Sequence, residues 1–169
     1  MRFFFFFFVF VLYLSFTFFN HPLYSEDEWK YHSEEITILD TQEMAKIVNS
    51  RRTILLDTWK KNIKPEKLDA KKWMPAKRYS LPGAKWLPNV GLETLTPELR
   101  KYLKENVKRL TKGDKNKELV VFCRRGYYSK IAAERLVKMG YTNVLLYPGT
   151  DVWEDAGQRL VIVTPEKIQ

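Results

Sequence analysis

The sequence predicts an α/β fold, a single domain with an open parallel sheet flanked by helices. Three observations carry this. Short apolar runs of strand length recur at residues 53–57, 119–122 and 144–147. Segments with apolar residues at helical spacing alternate with them, and turn-forming residues separate the two kinds. Strand, helix and strand in that order make a βαβ unit, which places its strands in parallel. The chain has 169 residues, 45% of them hydrophobic and 29% charged, enough for one domain with a proper core.

The chain opens differently. Met1-Arg2 precedes an almost unbroken apolar run from Phe3 to Phe19, and a polar stretch then ends at the small residue Ser25. A basic start, an apolar middle and a polar cleavage region are the order of an export signal, so residues 1–25 are expected to be a signal peptide. The run is also close to the lower limit for crossing a bilayer, which leaves an uncleaved N-terminal membrane anchor as the alternative. Either choice puts the remainder in the periplasm or among secreted proteins, where disulfides form, yet one cysteine cannot make an internal disulfide. Residues 26–35 are polar and acidic and are expected to be a linker, and the folded domain is expected over residues 36–165.

Within the domain, residues 36–39 are expected to form a first strand. Asp40-Thr41 followed by Glu43 reads as a capped helix ending near Asn49, and residues 53–57 form the next strand. Asp57 then stands at the carboxyl end of a strand, where open α/β sheets place functional groups; an Asx-turn bond to nearby backbone is its structural role. Residues 58–88 are long, basic and punctuated by Pro65, Pro75, Pro82-Gly83 and Pro88. Sparse regular structure is expected there, and the segment is a candidate lid or substrate wall. Thr96 caps a helix with Pro97 at its first position, running to about Leu110. After residues 144–147, a short helical piece at 152–157 and an edge strand at 160–163 complete the series.

The most informative stretch is Leu119-Val120-Val121-Phe122-Cys123-Arg124-Arg125-Gly126-Tyr127-Tyr128-Ser129. A buried strand ends in the only cysteine and turns into a helix. Cys123 therefore faces a helix N-terminus, where unpaired N–H groups and the dipole stabilise a thiolate, a persulfide or a bound oxyanion. Arg124 and Arg125 add charge of the same sign, and such surroundings raise the thiolate fraction of a thiol whose free pKa is near ~8.5. A small buried hydrophobe is the alternative for a lone cysteine, but two arginines, a glycine and two tyrosines suit an anion better than they suit an apolar core.

Net charge is +9. Much of the excess lies between Lys60 and Lys85, interleaved with Trp59, Trp73 and Trp86. A solvated basic face that attracts anionic substrates or an anionic membrane fits better than a nucleic-acid surface, since export removes nucleic-acid partners. His21 and His32, the only histidines, precede the domain. Cys-His nucleophile pairs and the usual zinc sites thus lack their side chains, and no metal or cofactor is expected.

The residues from Cys123 to Ser129, with Ala132-Ala133-Glu134-Arg135-Leu136, Gly140-Tyr141-Thr142-Asn143-Val144 and Gly149-Thr150-Asp151-Val152-Trp153, resemble the rhodanese-like domain family. Asp57 with its strand and Leu81-Pro82-Gly83-Ala84 fit as well. Residues 80–91, 110–114 and 147–151 look most like an exported subgroup associated with quinoprotein alcohol oxidation and named for Cys-x-x-Cys-Trp. Here Cys123-Arg124-Arg125-Gly126-Tyr127 lacks the second cysteine and the tryptophan, which leaves a single-cysteine loop.

The resemblance implies a rhodanese-like open sheet. It also implies transfer of sulfane sulfur from a small anionic donor such as thiosulfate, through a Cys123 persulfide, to a thiol, a protein or cyanide. The backbone of Arg124, Arg125, Gly126, Tyr127, Tyr128 and Ser129 would cradle the persulfide, with Arg124 and Arg125 binding the donor. Tyr128 stands where the family often has an arginine, and Trp59 replaces the arginine often found two residues after Asp57. A cysteine phosphatase would need an arginine six residues after the nucleophile, where Ser129 stands. The remaining alternative is a catalytically weak module that binds a partner or carries sulfur within a quinoprotein pathway.

Overall fold

In the computed structural model, residues 36–50 and 52–167 are described. The expected signal or anchor at 1–25 and the linker at 26–35 lie outside the described residues.

Helix α1 (Thr41–Ser50) begins with a reciprocal box. Asp40 Oδ1 accepts from the Glu43 N–H at 2.8 Å, and Glu43 Oε2 accepts from the Asp40 N–H at 2.9 Å. Strand β1 (Ile54–Asp57) follows, and then β2 (Arg78–Ser80) and β3 (Lys85–Trp86). Helix α2 (Pro97–Thr111) starts where Thr96 Oγ1 accepts from the Leu99 N–H and stops where Lys112 turns left-handed. Next come β4 (Leu119–Phe122), α3 (Tyr127–Lys138), β5 (Val144–Leu146), α4 (Thr150–Asp155) and β6 (Val161–Val163).

The main sheet is parallel throughout, in the order β3-β1-β4-β5. Alternation along its strands builds a core on each face. Leu56, Leu119, Val121 and Leu146 pack with Leu103 and Val107 of α2 and Ala132, Ala133 and Leu136 of α3. Leu55, Val120 and Phe122 pack on the other face with Met44 of α1 and Trp153 of α4. The central strands are buried on both sides, which is why they read as unbroken apolar runs.

One expectation is corrected, and two are made more definite. Residues 36–39 do not form a strand: Ile38 makes a single parallel bridge to Leu146, flanked by Leu39 N–H to Leu146 O at 2.8 Å and Leu146 N–H to Thr37 O at 2.9 Å. The chain turns into α1 too soon to extend the ladder. The segment after β1 holds two short strands, of which β3 adds an edge to the main sheet. The final strand, β6, pairs antiparallel with β2 in a separate two-stranded sheet, with Arg78 opposite Val163 and Ser80 opposite Val161.

Candidate active site

Asp57 and Phe122 are register partners on adjacent central strands, so Asp57 and Cys123 meet at the carboxyl edge of the sheet. The chain leaves β1 toward β3 on one side and leaves β4 toward β5 on the other. That divergence opens a crevice, the usual place for a site in an open α/β sheet.

Cys123 is fully buried at the head of the loop. Gly126 takes a left-handed φ of 89° and caps α3 without a side chain. Two neighbouring segments press on this loop. Gly149 sits so close that a Cβ there would lie 2.3 Å from the Arg124 carbonyl oxygen, and a Cβ on Gly91 would lie 2.1 Å from the Tyr128 carbonyl oxygen. The Thr150 N–H donates to Cys123 O at 3.0 Å and the Asp151 N–H to Arg124 O at 3.3 Å. Ser129 Oγ and the Lys130 N–H both donate to Gly126 O, at 2.9 and 3.1 Å.

The carbonyls of Cys123, Arg124 and Gly126 are thus occupied, whereas most of the loop's N–H donors are not. Among the described residues, the backbone N–H groups of Arg124, Arg125, Gly126, Tyr128 and Ser129 have no protein acceptor. Consecutive unpaired N–H groups at a helix N-terminus form an anion cradle. The Ser129 hydroxyl is turned back onto the loop and contributes only its N–H.

Asp57 is the hub on the other side. It is fully buried, and its carboxylate accepts from Arg78 Nε at 2.7 Å, Arg78 Nη2 at 3.0 Å, Ser80 Oγ at 2.6 Å and the Trp59 N–H at 2.9 Å. The Asx-type bond is therefore real and is one of four. Arg78 also donates to Cys123 O at 3.4 Å, and its guanidinium lies 5.7 Å from the Trp59 ring centre. Sequence reasoning missed Arg78 and Ser80. No local signal marked them, because Arg78-Tyr79-Ser80 is a strand of three residues, too few to show a period.

Arg124 and Arg125 converge on a single acid. Asp151 Oδ1 accepts from Arg124 Nε at 2.9 Å and Oδ2 from Arg125 Nε at 2.7 Å. Partial burial pushes the Asp151 carboxyl up, but the hydrogen bonds from Arg125 and Arg124 outweigh it and hold the group below its ordinary value. The same bonds push the Arg125 guanidinium up. Trp59 and Tyr128, which stand at the two places where the family often carries arginine, touch edge to face at 5.5 Å; Tyr127 packs on Tyr128 at 5.2 Å and donates to Glu93 at 2.5 Å. A cleft of about 300 Å³ runs beside the loop, lined by Trp59, Lys60, Lys77, Arg78, Trp86, Arg124 and Asp151 among others. Part of the long basic segment is thus a wall of this cleft.

Comparison with known proteins bears on the fold and the family. The chain is similar to a thiosulfate sulfurtransferase from Pseudomonas aeruginosa, at 20% identity and a TM-score of 0.55, covering 79% of this chain and 22% of that one. It is also similar to a polysulfide-sulfur transferase homodimer from Wolinella succinogenes, at 18% identity and a TM-score of 0.48, covering 80% of this chain and 85% of that one. No curated protein sequence matches. At such identity the first of these likenesses speaks to fold alone. The rhodanese-like domain family, however, matches residues 40–156, most of the chain and the whole of the site. The chain belongs to the rhodanese-like domain family.

Proposed function

We propose that the protein is a sulfurtransferase in which Cys123 carries sulfane sulfur as a persulfide. The observation that carries this reading is the set of backbone N–H groups at Arg124, Arg125, Gly126, Tyr128 and Ser129 that have no protein acceptor among the described residues, along a loop that begins at the thiol. The Cys123 thiolate attacks the sulfane sulfur of a donor such as thiosulfate. The S–S bond breaks, sulfite leaves with the bonding pair, and the persulfide anion rests on the cradle. A thiol or cyanide then attacks the outer sulfur, and the electron pair returns to Cys123. No change of net oxidation state and no cofactor are required.

The burial of Cys123 favours a second reading beside the first: a partner-specific sulfur carrier whose thiol is uncovered by its cognate protein. On the sequence, that partner belongs to an exported quinoprotein oxidation system, and the chain works in the periplasm or outside the cell, freed or anchored by residues 1–25.

Intact mass of residues 26–169 after thiosulfate, then after cyanide, separates the two. The expected result is a gain of one sulfur atom, lost as thiocyanate, and absent in Cys123→Ser. A protein that alkylates at Cys123 yet takes up no sulfur from any sulfane donor would overturn the enzymatic reading.

A further inference from the structure

We propose that Asp151 is a specificity-determining residue: it holds the arginine pair against a small dianionic donor and turns the site toward organic persulfides, R–S–SH. The proposal rests on the sulfur-transfer reading and names the donor class for it.

One carboxylate spans both guanidiniums, through Arg124 Nε at 2.9 Å and Arg125 Nε at 2.7 Å. Its backbone is seated on the same loop, because the Thr150 and Asp151 N–H groups hold the Cys123 and Arg124 carbonyls and Gly149 leaves no room between them. An acid is therefore present at high local concentration wherever the loop goes. Thiosulfate, a dianion, must compete with it for the same two cations.

The nearby third guanidinium offers no relief, since Arg78 is already held by buried Asp57 on two bonds. What the cleft presents instead is a wall of Trp59, Tyr79, Trp86 and Leu160, with Lys60 and Lys77 also among its lining. A cleft of about 300 Å³ has room for an organic group on aromatic surface and one negative charge near a lysine. In the corresponding step the Cys123 thiolate attacks the outer sulfur of R–S–SH. The S–S bond breaks, and R–S⁻ leaves with the pair and takes up the proton as R–SH.

Arg124 and Arg125 are 50% and 76% exposed in their side chains, so solvent weakens the competition to a preference of about 3- to 10-fold. The test compares kcat/KM for sulfur loading of Cys123 from thiosulfate and from cysteine persulfide. Asp151→Asn should raise the thiosulfate-to-persulfide ratio about 3- to 10-fold, chiefly through a lower KM for thiosulfate. Glu154→Gln removes an equal charge from the same cleft without touching either arginine, and should shift the ratio much less. An unchanged ratio in Asp151→Asn, or an equal shift in Glu154→Gln, overturns the proposal.

A binding measurement keeps the two ideas separate. Trp59 and Trp86 line the cleft and report occupancy by fluorescence. In a Cys123→Ser background, where no sulfur can move, Asp151→Asn should bind thiosulfate about 3- to 10-fold more tightly, whereas equal or weaker binding overturns the role of Asp151. Should Asp151→Asn fail to fold, Asp151→Ser decides with the same readout. If no variant is loaded by either donor, sulfur transfer falls while the binding result still settles what Asp151 does.

Discussion

At the scale of single residues, the site depends on pairing a buried acid. Asp57 is fully enclosed, and Arg78, with its side chain 9% exposed, supplies the only positive charge in contact with it among the described residues. Removing one member of such a pair leaves an uncompensated charge and costs about 3–5 kcal/mol. Arg78→Ala should lose about that much stability in denaturant titrations. The double variant Asp57→Asn/Arg78→Met should lose clearly less than the sum of its single changes, because no charge is left stranded. A purely additive result would mean that the two side chains act independently. The sequence displayed Asp57 at a strand end, yet its partner was hidden, since a guanidinium on the next strand, 21 residues further along, leaves no trace in local spacing. The same limit applies to Asp151: both arginines were legible as cations, but the acid that engages them lies across a turn that only the folded chain closes. Tyr128 and Trp59 were each visible as departures from the family pattern, while their contact with one another was not.

At the scale of elements, the loop after Cys123 is held by what packs on α3. Arg135, buried in the third turn of that helix, donates to Val90 O and to Glu93 O, both at 2.7 Å, and burial pulls its guanidinium down to about 10, still charged at neutral pH. The segment it grips includes Gly91, which lies against Tyr128 at the start of the helix. Arg135 thus fixes the wall beside the cradle from a distance. Arg135→Met keeps the bulk and strands the carbonyls, and a loss of about 1–3 kcal/mol is expected in the denaturant midpoint. Arg135→Lys should recover only part of it, because an ammonium cannot fork between two acceptors as a guanidinium does. The helices themselves were legible with their caps: Asp40 with Glu43, and Thr96 with Pro97, are local signals. Strands β2 and β3 were not, because two or three residues are too few to show a period. Residues 36–39 have strand composition but join only one bridge, so propensity alone overstated them.

At the scale of the whole molecule, the two sheets are mechanically joined at the site. Strand β2 carries Arg78 and Ser80 to Asp57, and its only strand partner among the described residues is β6. Just beyond β6, Glu166 accepts from Arg109 of α2 at 2.5 Å, lies near Lys85 of β3, and receives Tyr102 Oη on its carbonyl. Ending the chain at Leu160 removes these ties, and should both lower the melting temperature and speed alkylation of Cys123. Unchanged alkylation would show that β2 holds its place without help. The fold class was readable because alternating buried strands and amphipathic helices are sequence-local, whereas the closure by β6 is a contact between distant parts and could be seen only as an edge strand without a place.

That closure also orders events in time. During synthesis the parallel strands and their helices can assemble as soon as β5 is available, but β2 must wait for β6. Until then the buried carboxylate at the end of β1 has an unanchored partner and the thiol is incompletely walled. A partly made chain would therefore have its scaffold before its site, so that the surroundings of Cys123 are complete only in a molecule whose sheets are both complete.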